Sequence, residues 1–252
     1  MLTKFVNQSL DNLKVVVLTG AGISAESGLK TFRDNNGLWE NHSIQEVATP
    51  EGFAANPQLV YRFYNQRRRQ LLSREVTPNS AHFALAKLEQ VLGDRFTLVT
   101  QNVDNLHQQA GSQNVLHMHG SLLSAKCVKS ENSFKIESDL ELTSRCTCCH
   151  PKNILRPDIV WFGEMPKYMQ SIDDALFDAD VFLSIGTSGT VYPAAGFVDQ
   201  ANQYGAHSVE LNLEPSSAQS QFAEKHYGVA SELVPKFVEQ ILQIDVKGKS
   251  TC

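Results

Sequence analysis

Residues 15–25 leave the chain few folds to choose from. Val15, Val16, Val17 and Leu18 form an unbroken apolar run, the pattern of a strand buried on both faces in a parallel sheet. Gly20-Ala-Gly22-Ile-Ser-Ala25 follows directly and fits the G-x-G-x-x-G/A dinucleotide fingerprint. In such a turn Gly20 permits the tight reversal, and Gly22 lets backbone N–H groups approach a pyrophosphate at a helix N-terminus. An ordinary dehydrogenase continues to a second strand whose acidic end, about 20 positions on, holds the ribose. Here Asp34-Asn-Asn-Gly-Leu-Trp-Glu-Asn-His42 is polar and turn-rich instead. Phosphates can be gripped in the usual way, while the rest of a dinucleotide has to be handled differently.

Further along, strand-like and helix-like stretches alternate. Residues 35–78 read as a helical insertion. Pro57 suits a first helical turn capped by Asn56, and Leu59, Val60, Phe63, Tyr64, Arg67 and Leu71 recur at helical spacing. Tyr64 and Arg67 stand three apart and share a face. On spacing alone that face reads as solvated and basic, since Arg67, Arg68 and Arg69 are consecutive. Pro78-Asn79 opens another helix, with Phe83, Leu85, Ala86 and Leu88 on its apolar side and Gly93-Asp94 closing it. Phe96–Thr100 is a short strand, and Gln101, Asn102 and Asp104 lie just past its end, where open α/β sheets bind ligands. Asn102 and Asp104 can equally cap the next helix.

Val115 to Gly120 is the next extended piece, with His117 and His119 on one side of it. Arg156-Pro157 then returns the chain to the main sheet, and Ile159-Val-Trp-Phe-Gly163 continues extended and apolar. Val181–Ile185 reads as a buried strand, followed by Gly186-Thr-Ser188, small and hydroxylated as close approach to phosphate or ribose requires. A helix over 193–204 stops at Gly205. His207–Asn212 is the last clear strand, and Glu214 beyond it can accept hydrogen bonds from ribose hydroxyls. Val234, Phe237, Val238, Ile241 and Leu242 make an amphipathic helix, and residues 247–252 read as a disordered tail.

This alternation predicts an α/β fold: a Rossmann-like, mainly parallel sheet with helices on both faces. A smaller domain is made of the helical insertion and a zinc-ribbon-like insertion. The expected division is 1–34, 79–121 and 156–252 for the nucleotide-binding domain, 35–78 for the helical insertion and 122–155 for the metal-binding one. With 22 basic against 27 acidic side chains, no global basic field favours nucleic acid. No apolar run approaches the roughly 20 residues that span a bilayer, and Met-Leu-Thr-Lys-Phe-Val-Asn-Gln lacks the apolar core of a secretion signal. The expected compartment is the cytoplasm.

Cysteines stand at 127, 146, 148, 149 and 252. In a reducing compartment, four within a short window read as a metal site rather than as disulfides. Cys127-x18-Cys146-x2-Cys149 has the spacing of a zinc ribbon, except that Ser130 stands where the first C-x2-C knuckle would place a thiol. Zinc in a structural site takes four tetrahedral ligands. Cys127, Cys146 and Cys149 supply three, and Cys148, His150 or water the fourth.

The stretch G-A-G-I-S-A-E-S-G…T-F-R resembles the signature of the sirtuins, the NAD-dependent protein lysine deacylases, and among them the bacterial CobB type. Gln101-Asn-Val-Asp104, His117-Met-His-Gly120, Gly186-Thr-Ser188 and Asn212-Leu-Glu214 match in the same order, so the resemblance covers nearly the whole chain. It implies NAD, consumed as a co-substrate, held by Gly20, Ala21, Gly22, Ile23, Ala25, Glu26, Thr31, Phe32, Arg33 and Trp39 on the first loop. Gln101, Asn102, Val103, Asp104, Gly186, Thr187, Ser188, Asn212, Leu213, Glu214 and Ala230 complete that set. It further implies His119 as general base, with His117 structural, and Val160, Phe162, Gly163 and Glu164 as the segment that pairs with the substrate backbone. Tyr64 and Arg67 correspond to the pair that binds the carboxylate of acidic acyl groups. The implied zinc is structural.

What the resemblance implies is a deacetylase and desuccinylase that releases nicotinamide and O-acyl-ADP-ribose and acts as a monomer on acylated lysine side chains. Neither nucleic acid nor membrane is an expected partner. The alternatives are a mono-ADP-ribosyltransferase or NAD glycohydrolase built on the same cleft and, further off, a non-catalytic binding module.

Overall fold

The computed structural model describes residues 10–29, 38–39 and 42–243, with residues 38–39 as backbone only. Thr31, Phe32, Arg33, the Trp39 side chain and the 247–252 tail lie outside the described residues. In chain order the first elements are β1 (Val15–Thr19), β2 (Leu38–Trp39), β3 (His42–Ser43), α1 (Ile44–Val47), α2 (Pro50–Ala55), α3 (Pro57–Leu71) and α4 (Ser80–Leu92). β4 (Phe96–Thr100), α5 (Leu106–Gln109), β5 (Val115–His117), β6 (Gly120–Cys127), β7 (Ser133–Lys135) and β8 (Leu155–Ile159) follow. The last are α6 (Met169–Phe177), β9 (Val181–Ile185), α7 (Phe197–Gln203), β10 (His207–Asn212), β11 (Glu224–Tyr227) and α8 (Ala230–Leu242).

β1 lies inside a six-stranded sheet of order β11-β10-β9-β1-β4-β5, in which every pairing is parallel. All five β1 residues are buried, because side chains alternate between two covered faces. Val15 and Val17 join Leu85 and Leu88 of α4 and Phe237 and Ile241 of α8. Val16 and Leu18 join Ile172 and Leu176 of α6 and Phe197 and Val198 of α7. Helices therefore cover both faces, as the alternation of elements predicts.

A third core belongs to the smaller unit. It joins Phe53, Tyr61, Phe63 and Tyr64 to Leu122, Cys127, Cys146, Leu155 and Trp161. Its frame is a three-stranded antiparallel sheet, β7-β6-β8. Here the structure corrects the sequence reading, which returned Arg156-Pro157 to the main sheet. β8 instead pairs with β6, Lys126 opposite Arg156 and Cys127 opposite Leu155, and its apolar residues enter the third core. The chain regains the main layers only at α6.

Two local expectations also change. Val115–Gly120 is not one strand: β5 ends at His117, Met118 N–H donates to Thr100 O, and Gly120 opens β6. Gly120 is required there, because its φ is +85° and a Cβ would stand 2.0 Å from Asp158 O. The helix expected over 193–204 begins as a 3-10 turn, Ala194–Gly196, before α7, and its end at Gln203 precedes Gly205 with φ +92°.

The insertion helix forms as its sequence dictates. Asn56 Oδ1 accepts Leu59 N–H at 3.0 Å while Pro57 occupies the first turn of α3.

Candidate active site

Strand order reverses at β1: β4 and β5 extend the sheet one way, β9 to β11 the other. Outside the carboxyl ends of β1 and β9 lies the crevice where open parallel sheets take their ligands. The two loops there interlock. Gly20 N–H donates to Ile185 O and Gly22 N–H to Gly186 O, both at 2.9 Å, and Gly186 N–H reaches Leu211 O. A Cβ on Gly20 would stand 2.7 Å from Gly186 O, and one on Gly22 2.7 Å from Gly186 Cα. The glycines thus serve loop-on-loop packing, a role the fingerprint reading does not contain. Ala21, Ile23 and Ala25 sit in the 3-10 helix Ala21–Ser27, not at the start of an α-helix.

Several candidate residues turn out to be committed within the protein. Both Glu26 carboxylate oxygens accept from Ser231, on its N–H and its hydroxyl, which ties the first loop to the start of α8 beside Ala230. Asn212 Nδ2 donates to Thr187 O at 2.7 Å and its Oδ1 accepts Leu213 N–H, so it braces the Gly186–Ser188 loop. Leu213 and Glu214 are exposed beyond it at the end of β10.

On the β4 side the structure assembles a buried polar cluster. Asn102 Nδ2 donates to Ser24 Oγ, and the Ser24 hydroxyl donates to Asp104 Oδ2, both at 3.1 Å. Asp104 Oδ1 also accepts Leu106 N–H, the first of α5, from one residue ahead of the N-cap Asn105. Burial pushes the Asp104 carboxyl above its ordinary range, against the hydrogen bonds from Leu106 and Ser24. Val103 contributes its carbonyl to Leu122 N–H, linking this turn to the small sheet.

Sequence reasoning missed Ser24, His82 and His107. His82 Nε2 stands 3.5 Å from Ser24 Oγ, and His107 Nε2 lies 3.0 Å from Thr19 Oγ1, which donates to Thr100 Oγ1. The only signal for them was polarity at apolar helix positions. Burial holds His107 well below the usual imidazole value and takes His82 down to about 4.

That shift carries a prediction. An unfolded chain takes a proton on His82 near pH 6.5, the folded one only near 4, so stability is lost as pH falls through this window. His82 alone should remove about 3 kcal/mol between those limits. Urea unfolding of the parent and of His82→Gln across pH 4–6.5 checks it, the variant showing the shallower slope. Asp104, raised by burial, pulls the other way in both proteins and so drops out of the comparison.

The two histidines after β5 differ in one respect. His117 Nδ1 lies 3.2 Å from Asn102 O and its Nε2 2.6 Å from Gln108 Nε2, so both nitrogens are engaged. His119 Nδ1 lies 3.1 Å from Gln101 O. A carbonyl can only accept, so Nδ1 carries the proton and Nε2 keeps its lone pair. Burial lowers the His119 pKa, partly opposed by that Gln101 bond, and the ring stays neutral at physiological pH.

His119 is also tied to the loop over 160–168, since its carbonyl accepts Val160 N–H at 2.9 Å. Two ion pairs fasten that loop to β8. Arg156 Nη2 meets Glu164 Oε2 at 2.6 Å, and Lys167 Nζ meets Asp158 Oδ1 at 2.7 Å. Glu164 also caps Trp161 N–H, so its carboxylate is structurally engaged. Phe162, Gly163 and Met165 are left exposed. Trp161 Nε1 donates to the buried Tyr64 hydroxyl at 3.0 Å, which places Tyr64 next to this loop. Arg67, 7% exposed, donates from Nη1 to Phe63 O and lies with Cζ 3.8 Å from the Phe63 ring centroid. It is a buried group and not the solvated face its spacing suggests.

The cysteines gather. Cys127, Cys146, Cys148 and Cys149 have their sulfurs within 4.8 Å of one another, Cys127 to Cys149 at 3.7 Å and Cys148 to Cys149 at 3.8 Å. Tetrahedral zinc, with Zn–S near 2.3 Å, demands sulfur edges of about 3.8 Å. Ser130 Oγ lies 3.0 Å from Cys148 Sγ, and Cys148 brings the cluster to four sulfurs although the first knuckle lacks its second thiol. The cluster fits a structural zinc site whose four thiolates leave no position for a substrate. Cys146→Ser is expected to abolish metal retention and lower the thermal midpoint, read by elemental analysis and calorimetry.

Interlocked glycine loops at a parallel switch point, a buried amide–hydroxyl–carboxyl cluster and a neutral histidine beside an anchored loop define a nucleotide-dependent α/β enzyme class. The Sir2 family model matches residues 20–193. The chain belongs to the Sir2 family. It is 62% identical over 230 residues to an NAD-dependent protein deacylase of Pasteurella multocida, covering 91% of this chain and 98% of that one. It is 58% identical over 240 residues to one of Salmonella typhimurium, covering 95% and 88%. Among solved structures, a Sir2 homologue mutant–ADP-ribose complex superposes with TM-score 0.85 at 35% identity, covering 96% and 97%. A Sir2 homologue–NAD complex gives 0.83 at 36%, covering 95% and 93%. Among the described residues no helix is long and apolar enough to cross a membrane.

Proposed function

We propose that this chain is an NAD-dependent protein lysine deacylase, acting on acetyl- and succinyl-lysine and releasing nicotinamide and O-acyl-ADP-ribose. The observation that carries the reading is the placement of His119. Its protonated Nδ1 is held by Gln101 O, while its own carbonyl holds Val160 at the head of the exposed loop. One residue thus couples a free basic nitrogen to the backbone that would align a substrate peptide. Glu164, Val160, Phe162 and Gly163 belong to that loop, Glu164 as its brace and the others as its contact surface.

NAD, when bound, would supply a ribose carbon made electrophilic by its attached pyridinium, which is a good leaving group because it departs as neutral nicotinamide. The chain's residues suit the rest of the work. Asn102, Asp104 and Ser24 form a pre-organised group that can orient amide and hydroxyl donors at the end of β4. Gly20, Gly22 and the Gly186–Ser188 loop offer small, close-packed backbone at the switch point. Gln101, Val103, Leu213, Glu214 and Ala230 line the same ends of the strands. His119 Nε2 removes a proton from a ribose hydroxyl, a task suited to an imidazole that is neutral at working pH. Tyr64 and Arg67 recognise a carboxylate on the acyl group, the guanidinium by its planar fork and the phenol by one further hydrogen bond. The four clustered thiols are consistent with a reducing compartment, the cytoplasm.

The test is a mass-spectrometric assay of acetyl- and succinyl-lysine peptides with and without NAD. NAD-dependent loss of both acyl groups, matched by acyl-ADP-ribose, supports the proposal. Nicotinamide release without acyl peptide would establish the alternative instead, a mono-ADP-ribosyltransferase where label goes to protein and a glycohydrolase where it appears as free ADP-ribose.

A further inference from the structure

Arg68 has no place in this chemistry, yet it is the charged side chain most deeply buried in α3, with no exposed surface. Its Nε donates to Leu122 O at 2.7 Å, and its Nη1 to Asn65 Oδ1 at 2.8 Å and Ser138 O at 3.3 Å. Its Nη2 is buried and meets no partner among the described residues. Asn65 makes a closed pair with the same segment: its Nδ2 donates to Leu140 O at 2.8 Å, and its Oδ1 accepts Leu140 N–H at 2.9 Å. A buried guanidinium hydrogen-bonded to carbonyl and amide oxygens, with the Asp139 charge nearby, adds little stability over an apolar residue of similar size. What such an arrangement supplies is geometry.

The two residues stand one position beyond Tyr64 and Arg67, about 100° further round the same helix. Their partners, Leu122, Ser138 and Leu140, lie on β6 and on the segment that precedes Cys146, and Leu140 shares a core with Tyr64, Trp161, Cys127 and Cys146. We propose that Asn65 and Arg68 are positioning residues for acyl-group selection. By strapping α3 to the cysteine-bearing insertion, they set the height and rotation at which Arg67 and Tyr64 meet the acyl group. The inference rests on the proposed role of that pair. A two-pronged carboxylate contact is sensitive to small displacements, whereas an acetyl group fills the same space without it.

The experiment uses the full-length protein and Asn65→Ala and Asn65→Asp variants, with acetyl- and succinyl-peptides at saturating NAD. Asn65→Asp keeps the acceptor for Leu140 N–H and Arg68, but it sets a second carboxylate oxygen against Leu140 O and adds a negative charge beside Arg68. Trp161 emission, read in a Trp39→Phe background, reports the Trp161–Tyr64 contact, since these are the two tryptophans of the chain. Asn65→Ala should raise KM for the succinyl peptide roughly tenfold, leave kcat and the acetyl-peptide kinetics within about twofold, and shift Trp161 emission. Asn65→Asp, which breaks the bond to Leu140 O while strengthening the one to Arg68, should move in the same direction, and it decides the matter if the alanine variant does not fold. Equal losses on both acyl groups, or no change on either, overturn the strap. A parent protein that deacetylates but never desuccinylates overturns the Tyr64–Arg67 reading itself, and the strap with it.

Discussion

His119→Ala is expected to lower NAD-dependent deacylation by about 10²–10⁴-fold, the usual worth of a positioned general base. The loss should fall on kcat, with nucleotide affinity kept. The cluster of Ser24, Asn102 and Asp104 makes its hydrogen bonds without His119. His117→Ala is the informative control: both of its ring nitrogens are engaged by protein, so it should act through Asn102 and cost far less. The pH dependence has a defined sign. The base works only when neutral, and burial lowers its pKa below the ordinary 6.5. Activity should therefore persist below pH 6.5 and fall only as pH drops through the lowered value. Steady-state kinetics across pH 5–8 with an acetyl peptide checks both points. A variant that turns over as fast as the parent would remove His119 from the role.

What the sequence made legible was periodicity and order. Val15–Leu18 announced a doubly buried strand, and the chain's other ligand blocks each fell at a strand end, so the parallel sheet and its crevice followed. The cysteine spacing was equally readable, down to the missing thiol at Ser130. Less readable was anything settled by contact between distant segments. β8 carries the same apolar pattern whether it pairs with the main sheet or with β6, and only tertiary packing decides. Spacing left Cys148, His150 and water open as the fourth zinc ligand, and it is the fold that gathers Cys148 with the other three sulfurs. Ser24, His82 and His107 look like ordinary polar residues until the fold buries them beside Asn102, Asp104 and Thr19, far away in the sequence. Arg67 shows the limit most clearly, since three consecutive arginines read as surface while the fold buries two of them.

Arg67→Met should separate the two proposed activities. Methionine keeps an unbranched apolar stem beside Phe63, where the guanidinium carbon now lies 3.8 Å from the ring centroid, so the helix has no reason to repack. What disappears is the planar donor pair. Hydrogen bonds to a charged group are worth about 1.5–3 kcal/mol each, so losing the two-pronged fork should reduce kcat/KM for a succinyl peptide by at least roughly 100-fold. An acetyl peptide presents no carboxylate and should change by no more than about threefold. Tyr64→Phe should act in the same direction but more weakly, because it removes one neutral donor. It also takes an acceptor from Trp161 Nε1, so part of its effect should appear as lost stability on both substrates. The ratio of the two kcat/KM values is the quantity to follow, since it cancels changes in folded fraction. If Arg67→Met loses both activities equally, the arginine braces the fold and some other group reads the acyl chain. A selective loss would leave Arg67 as the cation that distinguishes an acidic acyl group from a neutral one.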